Sequence, residues 1–133
     1  MTVIVTDSGF AQDDFTGTFA SLDDANGARA IDLASDTNPA DLDRALGAEV
    51  IRIAFPSFAD GRGFTLAAQL RRLGFQGRLR AHGHVIADQY AMARRSGFDE
   101  VEISDDLAAR QPQAQWLRRA DWQAHNYQAR MRA

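Results

Sequence analysis

The sequence predicts an α/β fold: a mainly parallel sheet of about four strands built from successive β-α units, partial-barrel or flavodoxin-like. An N-terminal hairpin-like segment precedes it and a C-terminal helix follows. Three observations predict this. From Ala30 onward, short apolar runs alternate with 10–13 residues at helical spacing. Each run ends in a polar or Gly/Pro turn. Glycines stand where the helical stretches should stop, at Gly47, Gly74 and Gly97, because a residue without a β-carbon accepts a left-handed cap cheaply.

Taken in order, Val3-Ile4-Val5 reads as a strand and Ser8-Gly9 as a turn. Residues 1–28 otherwise mix Asp, Thr and Gly with Phe15 and Phe19, which suits an extended or hairpin segment better than a helix. Residues 29–108 hold the repeating units. Ala30 to Ala34 leads into Asn38-Pro39 and a helical stretch over 40–46, with Asn38 as cap and Pro39 in the first turn. Glu49 to Phe55 leads to Leu66, Leu70 and Leu73. Arg78 to Ala81 leads to Ile86, Tyr90 and Ala93, and Glu100 to Ile103 leads to the final helical region. Alternation of this length implies right-handed crossovers that place successive helices on one face. Arg52, Arg78, Arg80 and Glu102 break the strands' apolar character, so the opposite face should be less covered and free to serve as an oligomer surface. Residues 109–133 carry Trp116, Trp122, His125, Tyr127 and several arginines, read as one helix folded over the sheet or turned toward a neighbour. All 133 residues fit a single domain.

Composition narrows the chemistry. A formal charge of −3 asks for neither nucleic acid nor an anionic membrane. No apolar run approaches the roughly 18 residues of a membrane helix, and the first residues lack a basic-then-apolar leader, so a cytoplasmic location is expected. The chain has no cysteine, which excludes thiolate-held clusters and thiol catalysis. Its 15 basic residues are all arginine, which excludes Schiff-base chemistry and a P-loop lysine.

Ligands of open parallel sheets bind outside the carboxyl ends of the strands. Those ends deliver Ser35 and Asp36, then Ser57, Asp60 and Arg62, then His82 and His84, then Ser104, Asp105 and Asp106. The same serines and aspartates suit helix caps. Asp60-Gly61-Arg62-Gly63 has two glycines that would let backbone approach a bound group, and an arginine that can fork onto two oxygens of an oxyanion. As a dinucleotide fingerprint it fails, with Leu66 in place of the third glycine. In its bracing alternative, Arg62 pairs with Asp60 or Asp88. The ligand-binding candidates are therefore Ser57, Asp60, Gly61, Arg62, Gly63, His82 and His84, and the catalytic candidates Asp60, His82 and Asp88. His82 and His84 lack a third metal ligand, so no metal is expected, and an imidazole there would serve better as a base.

The run FPSFADGRGFTLAAQLRRLGFQGRLRAHGHVIADQYAMARRSGFDEVEI resembles the core of a bacterial family known as domain of unknown function 934. His84 stands where the family pattern leads one to expect an aspartate. The resemblance implies a gene neighbourhood shared with assimilatory sulfite or nitrite reductases, and a loose label of oxidoreductase in sulfite reduction. Two readings follow. An accessory protein would bind sulfite reductase or another sulfur-assimilation enzyme, hold no redox cofactor, and show an aromatic–arginine surface on the terminal segment. A small enzyme would bring Asp60, Arg62, His82 and Asp88 together around an anionic substrate.

Overall fold

The computed structural model describes residues 2–125. Its sheet has seven strands: β1 Thr2–Thr6, β2 Gly9–Ala11, β3 Ala20–Ser21, β4 Ala30–Leu33, β5 Val50–Phe55, β6 Arg78–Gly83 and β7 Glu100–Ser104. They lie in the order β2-β1-β7-β6-β5-β4-β3. The expected four strands are present as β4 to β7, all parallel. The expected count is corrected by β3, which adds a parallel edge, and by the β1–β2 hairpin, which joins β7 antiparallel. From β3 to β7 the strands add in sequence, unlike a doubly wound flavodoxin-like sheet, whose order reverses at a switch point.

Four helices follow: α1 Arg62–Arg72, α2 Tyr90–Ser96, α3 Asp105–Arg110 and α4 Gln113–Leu117. The stretch at Pro39–Ala45 is a 3-10 segment, started by Asn38, whose Oδ1 accepts the Ala40 amide at 3.0 Å. As expected, these crossover segments share one face. Leu42, Leu66, Leu70 and Ala93 pack onto Ile31, Ile51, Ile53, Leu79, Val101 and Ile103 in one core. α1 stops at Gly74 (φ +99°) and α2 at Gly97 (φ +114°); Gly47 takes no left-handed conformation.

The single C-terminal helix is corrected within the described residues. α3 ends at Arg110, Gln111 leaves helical geometry, and Pro112 opens α4. A 3-10 turn follows at Trp122–His125. Trp116 is buried, with its indole N–H donating to the Gln111 carbonyl at 2.9 Å. Residues 126–133, with Tyr127 and the end of the expected helix, lie outside the described residues.

The second face of the sheet is charged and covered by a strap. Alternate strand residues place Asp32, Arg52, Arg78, Arg80, His82, Glu100 and Glu102 on it. Residues 12–19 run between β2 and β3, which form opposite edges of the sheet. Six inter-strand spacings separate those edges, about 29 Å if flat. The nine steps from Ala11 to Ala20 reach about 30 Å. Only a near-extended run or a curled sheet closes that span.

Candidate functional site

The strand ends form a rim, and one of its polar residues, Ser104, is a helix cap. Ser104 Oγ accepts the Leu107 amide at 3.1 Å, which starts α3. Ser57 is exposed and its carbonyl accepts the Asp60 amide at 3.2 Å, which closes the loop after β5.

That loop resolves the Asp60–Gly63 motif. Arg62 turns back on Asp60, with Nε to Oδ1 at 3.0 Å and Nη2 to Oδ2 at 2.8 Å. The Arg62 amide also donates to Asp60 Oδ1, at 3.1 Å, and Nη2 reaches Ser35 Oγ at 3.1 Å. The Arg62 guanidinium, helped by this amide, holds the Asp60 carboxyl far below the usual carboxylate range. An anion arriving here would face Asp60 and Asp36 as well as the arginine, whose fork is already engaged. The glycines have another explanation. A β-carbon on Gly63 would stand 2.5 Å from the Phe55 ring, so this glycine lets α1 close onto β5. Gly61 has ordinary backbone angles (φ −90°, ψ 3°). Beside the loop lies a cleft of about 290 Å³ lined by Ser35, Asp36, Thr37, Arg62, Thr65 and Leu66.

The histidines open on a different cleft, of about 120 Å³, with Thr2, Phe58, Ser104, Leu107 and Arg110. His82 ends the charged face, its Nε2 3.4 Å from Glu102 Oε2. Burial pushes its imidazole below the ordinary value, against the pull of Glu102. Gly83 then breaks the strand at φ +115°, and a β-carbon there would lie 2.7 Å from the Phe55 carbonyl. This turn brings exposed His84 to the same cleft, edge-on to Phe58 with ring centroids 5.2 Å apart. Among the described residues no cluster of three metal-ligating side chains occurs.

Asp88 lies in neither cleft. It pairs with Arg119 at 2.8 Å, beside a third cleft of about 310 Å³ that includes Arg95, Arg118, Asp121 and Trp122. The structure thus separates the three: His82 and Asp88 line different clefts, and Asp60 lines none of the three, its carboxylate held on Arg62 beside the first.

Three features escaped the sequence reading. Arg110, from the last turn of α3, lines the same cleft as the histidines. Arg80 is fully buried, held by Asp13 (2.9 Å), Glu100 (2.7 Å) and Glu102 (2.8 Å). These carboxylates outweigh the cost of its burial and hold it charged. Asp7, in the hairpin turn, accepts from the Tyr90 hydroxyl, from Arg94 and from the Trp122 indole. Burial alone would raise the Asp7 pKa, but those three donors together lower it. The Arg94 guanidinium also lies over the Trp122 ring, 4.7 Å from its centroid. Asp7 therefore fixes the terminal segment to the hairpin.

The chain belongs to the family described as bacterial protein of unknown function (DUF934), whose model matches residues 30–133. No curated protein and no solved structure matches it. The family match begins at the first residue of β4 and takes in all three clefts except Thr2. The hairpin and the strap precede it.

Proposed function

We propose that this member of the family is a cytoplasmic accessory protein of assimilatory sulfite reduction, docking on a sulfur-assimilation enzyme without catalysing turnover. The pathway is what the family resemblance implies. The docking reading rests on one observation, the arginine-rich cleft around Trp122. Arg95, Arg118 and Arg119 line it, against Asp88 and Asp121. The Arg118 guanidinium makes no hydrogen bond or ion pair among the described residues. The indole is held from behind by Asp7 and Arg94. Large apolar side chains stand exposed on α2 (Met92) and α4 (Leu117). Tryptophan and arginine are the side chains that most often anchor protein interfaces, because each combines large contact area with directed polar groups. A partner presenting an acidic patch around an apolar centre fits this chemistry. No helix among the described residues is long and apolar enough to cross a membrane.

The test is recovery from the host grown on sulfate, with the tagged full-length protein as bait. Sulfite reductase or another sulfur-assimilation enzyme is expected with wild-type bait, and at least tenfold less with Arg118→Glu/Arg119→Glu. A bait that emerges alone and carries a flavin absorbance spectrum overturns the reading in favour of a small oxidoreductase working at the strand ends.

A further inference from the structure

We propose that the cleft at the ends of β6 and β7 is a binding site for a small polyatomic oxyanion, held by His82, His84 and Arg110. This deepens the accessory reading by giving it a ligand, but it stands on separate residues from the docking cleft.

His82 comes from the end of β6, His84 from the loop beyond it, and Arg110 from the last turn of α3. No carboxylate lines it. The Arg62 cleft contains Asp36, and the Trp122 cleft contains Asp88 and Asp121. Arg62 and Arg119 each already grip an aspartate, at 2.8 Å in both cases. Arg110 grips nothing among the described residues. A guanidinium without a carboxylate partner, at the lip of a cleft containing two imidazoles, leaves its fork free for two oxygens of one anion.

The remaining lining agrees. Ser104 Oγ accepts the Leu107 amide, so its own hydrogen remains to be donated into the cleft. Thr2 lies opposite Ser104 in the β1–β7 ladder and adds a second hydroxyl at the same edge. Phe58, edge-on to His84, fixes one wall, and buried Leu107 forms another. About 120 Å³ is room enough for sulfate, sulfite or phosphate. Glu102 lies behind His82, but its charge is engaged by Arg52 and Arg80.

The experiment titrates the purified full-length protein with sulfate, sulfite and inorganic phosphate in separate arms, followed by calorimetry and by the imidazole proton resonances. Saturable shifts of the His82 and His84 resonances are expected with at least one anion. Comparing the three arms identifies whether the source is sulfur oxyanion or phosphate. Arg110→Ala and His84→Ala, both at exposed positions, should each weaken binding at least tenfold while leaving the thermal transition in place. Arg62→Ala should leave the affinity unchanged. Absence of saturable shifts with all three anions overturns the proposal. So does binding lost in Arg62→Ala but retained in Arg110→Ala. Because no partner protein is present, failure here leaves the docking reading standing, and the pull-down can fail without touching this site.

Discussion

The two faces of the sheet use the same strands and alternate residues, yet they are built on opposite principles. On the helix side, Ile31, Ile51, Ile53, Leu79, Val101 and Ile103 meet an apolar layer. Such contacts are non-directional, and each fully buried side chain contributes about 1.5–3 kcal/mol. On the strap side, one register row reads Asp32–Arg52–Arg80–Glu100. Arg52 and Arg80 stand side by side, a repulsive arrangement unless carboxylates surround them. They do: Arg52 forks to Asp32 (2.6 Å) and reaches Glu102 (3.1 Å), and Glu102 also holds Arg80 (2.8 Å). The strap adds Asp13 on Arg80 and Asp14 on Arg78, and sets Phe19 over Arg52 at 3.9 Å. A buried face therefore need not be apolar, provided every charge has its partners in place. An apolar face tolerates the loss of one member in proportion to its size. A charged lattice does not, since removing one member strands the others.

The largest expected effect is Arg80→Ala. It leaves Glu100 and Glu102, both nearly buried, without their shared cation. Unfolding in urea should show a loss of about 3–5 kcal/mol. A loss below about 1 kcal/mol would mean that Arg52 and Arg78 take over the carboxylates, and that the lattice is as forgiving as the apolar face.

These faces were unequally legible. The apolar face follows from β-runs such as Val50 to Phe55, and the interruptions at Arg52, Arg80 and Glu102 already marked the other face as different. An extended segment was legible before Ala28, but its path across that face was not. The strap has no periodicity, and β3 is two residues long, so its pairing is decided by the tertiary fit rather than by propensity. Local pattern was ambiguous at Gly63. A glycine that admits a ligand and a glycine that admits a phenyl ring look the same in sequence, and only the approach of Phe55 separates them. Likewise Arg110 belongs to a helix end far from the β6 loop in sequence. The tight passage from β7 into α3 brings it to the cleft that the histidines line.

A smaller effect is expected from Phe19→Ala, which uncovers the charged face without deleting a charge. It removes the ring over Arg52 and the Phe15–Phe19 contact at 5.2 Å. About 1–2 kcal/mol should be lost. Amide exchange should quicken along Arg52 and Arg80, while the buried positions of α1 keep their protection. Equal loosening of α1 would show that the strap supports the whole domain rather than one face.

The smallest effect separates the strap's charge from its shape. In the folded protein Asp13 is held below its ordinary 3.8, chiefly by its hydrogen bonds to Arg80. A depressed carboxyl stabilises the fold at pH values above its unfolded pKa, and that contribution fades as pH falls through the folded value. Asp13→Asn keeps the size of the side chain and removes the titration. The wild type should therefore exceed the variant in urea midpoint at pH 7, and the gap should close as pH drops below about 3.8. Because Asp13 is only partly covered, solvent screening keeps the gap small, and added salt should narrow it further. A gap that persists unchanged into acid would mean that Asp13 contributes through packing and neutral hydrogen bonds. The strap would then resemble the apolar face after all, and the charged face would owe its integrity to Glu100 and Glu102 alone.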